Sequence, residues 1–198
     1  MIGFSCCCER PPSDSISNRS APAAGTDAGT TPPTDPSADR FGWSSIAKGL
    51  DEGHLEVPMQ YSQPNGRTFT LYLVRHAAED PAHRIGTLLV NPGGPGFGGS
   101  DLARDAENIY GQDILDRFDI IGWDPRGTGH STPAVDCIDD DDRYFSLDSS
   151  ADTPQERQQL IDAATSFADA CKQKDGDFLP YLSTADSARD IDAIRKAL

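Results

Sequence analysis

The chain has 198 residues, 32 Asp+Glu against 17 Lys+Arg, a formal net charge of -15 and a pI near 4.4. That balance excludes a nucleic-acid binder that works by neutralising phosphates, and no run approaches the roughly 18 apolar residues of a membrane span. A hydrophobic content of 36% with a mean hydropathy of -0.52 suffices for one soluble core, while part of the length is too polar to join it.

Residues 5–40 contain six prolines, ten Ser or Thr and a single large aliphatic, Ile16. Such a segment cannot bury enough apolar area to offset its ordering entropy, so residues 1–42 read as a disordered tether or a processed leader ahead of a folded portion, 43–198. Of five cysteines, Cys6, Cys7 and Cys8 form a triplet, and Cys137 and Cys171 stand alone. No CxxC pair exists, which argues against a zinc ribbon. The five residues before the triplet are too short and uncharged for a complete signal peptide. The triplet reads either as a lipid-anchor or processing remnant near Cys6 to Cys8, or as ordinary linker behind a mis-chosen start codon.

Leu55 to Met59 and Thr68 to Val74 alternate with period two across a turn at Pro64-Asn65-Gly66, which predicts an antiparallel pair of strands. Ile85 to Val90 is a continuous apolar run ending in the glycine-rich Asn91 to Gly99, the pattern of a buried strand entering a functional turn. A helix is expected from about Ser100 to Tyr110, and a second strand at Phe118 to Trp123 runs into Asp124-Pro125-Arg126-Gly127-Thr128-Gly129-His130-Ser131. Strand, loop, helix, strand implies a parallel α/β arrangement. The segment from Val135 to Asp152 carries seven Asp against Arg143 alone and lacks EF-hand spacing, so it reads as a solvated acidic loop rather than a calcium site. Thr153-Pro154-Gln155-Glu156 is a capping box with a first-turn proline, heading a helix whose Leu160, Ile161, Ala164, Phe167, Ala168 and Cys171 are expected to be buried. A last helix begins near Ser183 or Thr184 and carries Ile191, Ile194 and Leu198 on one side.

Gly93-Gly94-Pro95-Gly96 can form an oxyanion-hole turn, in which glycines let a backbone N–H point at developing negative charge. Gly94, Gly96 and Gly99 also satisfy G-x-G-x-x-G, with Asp119 about twenty residues on, so a dinucleotide site in an oxidoreductase is a rival. That fingerprint normally opens the first βαβ unit, whereas antiparallel strands come first here. In the second loop, His130 and Ser131 are adjacent, and neighbours rarely aim side chains at each other as a catalytic pair must. Asp124 and Arg126 read as braces of the turn. His54, His76 and His83 have no companion ligands in the sequence, and no metal or cofactor is implied.

These two loops, with Cys137, Cys171 and the Asp190 to Arg195 helix, resemble the N-terminal half of the α/β-hydrolase serine peptidases of the tripeptidyl aminopeptidase and proline iminopeptidase group, over about residues 43–198. The resemblance implies a secreted or envelope-anchored exopeptidase acting on peptide N-termini or small acyl substrates, with the Gly94 N–H helping to form the oxyanion hole. It also accompanies an expected disulfide between Cys137 and Cys171, in keeping with export. The G-x-S-x-G elbow is absent, and Ser100 lacks its second glycine. The expectation is therefore a chain cut before the elbow and inactive alone, with Ile85 to Val90 left as a sheet edge awaiting a C-terminal half. A non-catalytic binding module on the same scaffold is the alternative.

Overall fold

A computed structural model of the chain describes residues 40–94 and 96–198. The expected tether, the Cys6 to Cys8 triplet and Pro95 lie outside them. The strands are β1 (Ser44–Ala47), β2 (Leu50–Pro58), β3 (Thr68–His76), β4 (Gly86–Val90) and β5 (Phe118–Trp123). The helices are α1 (Ser100–Arg104), α2 (Ala106–Ile109), α3 (Gln112–Leu115), α4 (Asp142–Phe145), α5 (Pro154–Asp175) and α6 (Thr184–Ala197).

The strands form one sheet in the order β1-β2-β3-β5-β4, in which β4 and β5 are parallel and the other neighbours antiparallel. The hairpin pairs Leu50 with His76 through Pro58 with Thr68, and Met59 N–H donates to the Arg67 carbonyl at 2.8 Å to close it. The middle of β3, Leu71 to Val74, is buried on both faces. Phe69, Leu71, Leu73 and Ile121 pack with Phe178, Ile194 and Ala197 on one face, and Tyr72, Val74 and Ile120 pack with Ala103, Ala106 and Leu115 on the other. Successive β5 residues, Ile120 and Ile121, thus serve opposite layers, as the strand period requires. The result is a mixed α/β sheet with helices on both sides.

Four expectations need correction. The helix at 100–110 is divided at Asp105, whose backbone (φ -98, ψ 18) leaves the helical region and whose carboxylate accepts from the Asn108 amide. The acidic loop contains the short α4. The α5 stripe is largely open: Ile161 is 52% exposed, Ala164 and Ala168 are exposed, and Cys171 is half-buried. The cause is position, since α5 packs chiefly on α4 through edge contacts of Tyr144 and Phe145 with Phe167 rather than on the sheet. In α6 the buried face is Asp190, Ile194 and Ala197, while Ile191 and Leu198 stand one residue round the helix at 38% and 43% exposure.

The structure joins Cys137 to Cys171, with Cα atoms 4.2 Å apart. Glu156 and Thr153 form the reciprocal capping box at α5. Among the described residues β4 pairs with β5 alone and forms one edge of the sheet, and Ile85 just before it is 63% exposed.

Candidate functional site

The parallel strands β4 and β5 run into the two glycine-containing loops side by side, at the carboxyl ends where open α/β sheets usually bind ligands. In the first loop, Asn91 Oδ1 accepts the Gly93 N–H at 2.8 Å, which turns the chain sharply. Gly94 follows at φ +120, a region L side chains rarely adopt, and a Cβ there would lie 2.8 Å from the Phe97 ring. The Gly94 N–H has no acceptor among the described residues. Gly93, Gly94 and Gly96 are exposed and border an open cleft of about 930 Å³, whose other walls include Phe97, Trp123, Thr128, Leu182 and Ile191.

Asp124 ties the two loops together. It is 1% exposed; one carboxylate oxygen accepts the Ser100 N–H at 3.1 Å and the other the His130 N–H at 2.8 Å. A Cβ on Gly98 would lie 2.4 Å from Asp124 Oδ1, so only glycine permits this approach. Ser131 completes the turn: its hydroxyl donates to the Asp124 carbonyl at 2.6 Å and accepts the Tyr72 N–H at 2.9 Å.

Arg126 does not brace its own turn, as the sequence suggested; it reaches α6. Its Nε and Nη2 bond the two Asp190 oxygens at 2.7 and 2.6 Å, and its remaining donors meet the Met59, Tyr181 and Pro58 carbonyls at 3.0–3.2 Å. Both side chains are 1% exposed. Burial opposes the guanidinium charge, but the hydrogen bonds and charge of Asp190 outweigh it, so the Arg126 pKa is raised above its ordinary value. Tyr61 donates to Asp190 Oδ1 at 2.7 Å, and burial, then that bond, push its phenol well above the usual range. Asp190 and Tyr61 were not assigned roles from the sequence. The available signal was an acid four residues before Ile194, on an apolar stripe where carboxylates are seldom found unpaired.

Ser100 and Ser131 are 2% and 0% exposed, and the Ser131 hydroxyl is committed to these contacts. Exposed His130 lies 5.1 Å from the Tyr72 ring at an interplanar angle of 59°, and no serine hydroxyl hydrogen-bonds to a histidine among the described residues. The dinucleotide reading loses its acid: Asp119 pairs with Thr87 at the start of the parallel strands, away from the glycines, and its carboxylate is taken by the Ala78 N–H and Arg84 at 2.9 and 2.8 Å. Cys137 and Cys171 lie outside the cleft lining.

No family model matches the chain. It is 36% identical over 183 residues to Carboxylesterase B of Mycobacterium tuberculosis, covering 86% of this chain and 35% of the relative. It is 37% identical over 149 residues to Serine protease Hip1 of the same organism (74% and 28%), and 31% over 159 residues to Tripeptidyl aminopeptidase of Streptomyces lividans (78% and 29%). The chain therefore spans about a third of the length of the curated relatives it matches. Over that third its similarity to a carboxylesterase, a serine protease and an aminopeptidase is consistent with the α/β-hydrolase serine peptidase group to which its loops point.

Proposed function

We propose that the chain supplies the oxyanion-loop portion of a serine hydrolase that releases residues from peptide N-termini, and that the 198 residues alone do not catalyse the reaction. In this reading a serine from a G-x-S-x-G elbow, absent from this sequence, attacks the scissile carbonyl, and the Gly94 N–H donates to the oxyanion that forms. Gly93 and Gly96, both at positive φ, shape the loop, and Asp124 holds it against the second loop so that the donor is placed before substrate arrives. The nucleophile, acid and histidine come from a segment C-terminal to Leu198, and a peptide or small acyl group would occupy the cleft. Export, by secretion or envelope anchoring, fits the Pro/Ser/Thr-rich residues 5–40 and the Cys137–Cys171 pair.

The observation that carries the proposal is the Gly94 N–H, without a described acceptor, on a cleft-facing turn whose neighbour is fixed by a buried carboxylate. The test is to read the frame downstream of codon 198 and assay the extended product. An elbow serine should react with a fluorophosphonate and support hydrolysis of tripeptidyl or aminoacyl nitroanilides, both absent for the 198-residue chain. In the extended protein Gly94→Ala should lower kcat by on the order of 100-fold. Labelling of Ser100 or Ser131 in the short chain would overturn the assignment. A stop codon with no similar coding sequence after it would favour the binding module.

A further inference from the structure

The far end of the sheet holds a cluster that the hydrolase reading does not use. β3 ends at His76, which pairs with Ile120, whereas the candidate site lies beyond Trp123 at the other end of β5. The His76 side chain is 5% exposed, yet its buried Nδ1 has no hydrogen-bond partner among the described residues. Its Nε2 lies 3.8 Å from Glu107 Oε1, too far for a hydrogen bond. Glu79, three residues on, turns toward the same point, so one His76 nitrogen and one oxygen from each of Glu79 and Glu107 lie within 4.8 Å of one another. They open onto a cleft of about 680 Å³ walled also by Lys48, Gln112 and Leu115.

A buried imidazole normally has a partner, because leaving its polar nitrogens unmatched costs free energy. Here two carboxylates on different elements, the loop after β3 and α2, lie close to the ring. Two ligands of one tetrahedral zinc lie about 3.4 Å apart for bonds of about 2.1 Å. Both glutamates are exposed and able to swing inward, while Gln112 Nε2 holds one Glu79 oxygen at 2.8 Å and leaves the other free to ligate. One imidazole and two carboxylates suit Zn²⁺ better than Ca²⁺ or Mg²⁺, which favour all-oxygen shells, or Cu(I), which favours sulfur.

We infer that His76, Glu79 and Glu107 form a Zn²⁺ site, with water completing the shell, that fastens α2 and the loop after β3 to the end of the sheet.

The test uses the full, untagged chain with Cys6, Cys7 and Cys8 changed to Ser, since those thiols would take zinc themselves. Zinc titrated against a chromophoric chelator should bind with one equivalent at micromolar affinity, raise the melting temperature, and shift the imidazole nitrogens of His76 but not of His54, His83 or His130. Glu107→Gln, a change at an exposed position, should weaken binding by about tenfold or more with the zinc-free melt unchanged. His76→Asn should abolish binding, and if that variant does not fold, Glu107→Gln and the nitrogen shifts decide. No binding at micromolar zinc, affinity unaltered in a Glu79→Gln/Glu107→Gln protein, or shifts at another histidine would overturn the site. Hydrolase activity does not enter the readout.

Discussion

The sheet and α6 bury Phe69, Leu71, Leu73, Ile121 and Ile194 completely, whereas α5, at 22 residues the longest element, buries only Asp175. The first region is held by apolar area on both faces of a sheet and by an ion pair sealed inside it. The second, from Asp136 to Asp175, is held by a covalent bond, a capping box and ion pairs such as Lys174 with Asp136, whose groups are 42% and 69% exposed. Exposed pairs of that kind contribute little. An amphipathic pattern and a good cap thus establish a helix locally without specifying what covers it.

The largest effect is expected at Arg126, in the first region. Arg126→Ala should cost about 3–5 kcal/mol in urea unfolding, because it strands the buried Asp190 carboxylate. Arg126→Met/Asp190→Leu should recover most of that loss, and a double variant as unstable as the single one would show that backbone carbonyl contacts, rather than charge, carry the effect.

In the other region, Cys137→Ser/Cys171→Ser opens a loop with a sequence separation of 34. The chain-entropy model gives about 3–4 kcal/mol, and the loss should appear as rapid proteolysis between 138 and 170 while β3 and β5 amides keep their exchange protection. Equal loss of protection in the sheet would mean that the two regions unfold as one.

Asp124→Ala should cost about 2–3 kcal/mol by leaving the Ser100 and His130 N–H groups without their acceptor, and should raise amide exchange in both loops together. The smallest effect is Thr153→Ala, about 1 kcal/mol by helix melting. Backbone and side-chain hydrogen bonds with Thr153, then the Asp152 N–H, hold the Glu156 carboxyl below its usual range. Because the folded value is depressed, this stabilisation is present above the ordinary glutamate pKa of about 4.3 and is lost as pH falls through the folded one. Circular dichroism across that acid range should show α5 weakening, with a smaller acid response in Thr153→Ala.

Elements whose signal is local were legible in the sequence. The β2–β3 hairpin follows from alternation, β4 and β5 from apolar runs that stop at glycines, and the α5 start from its capping box. β1 was not, because Ser44 to Ala47 is exposed throughout and has no alternation to read. The burial of α5 was misjudged because its stripe depends on what lies opposite. At the candidate site, the Gly94 turn could be read from the glycines that its positive φ requires. The role of Arg126 could not, since its partner lies 64 residues away and nothing adjacent announces it.

That distance has a kinetic consequence. The guanidinium collects acceptors separated from it by 55 to 68 residues on both sides in sequence, from Pro58 and Met59 before it to Tyr181 and Asp190 after it. Loops of that length must close before any of these bonds can form, while the hairpin and the capped helices need only short-range closure. The expectation is that the ion pair assembles on the native side of the folding barrier, in which case Arg126 variants should unfold faster while refolding at nearly unchanged rates, as folding and unfolding kinetics in urea would show.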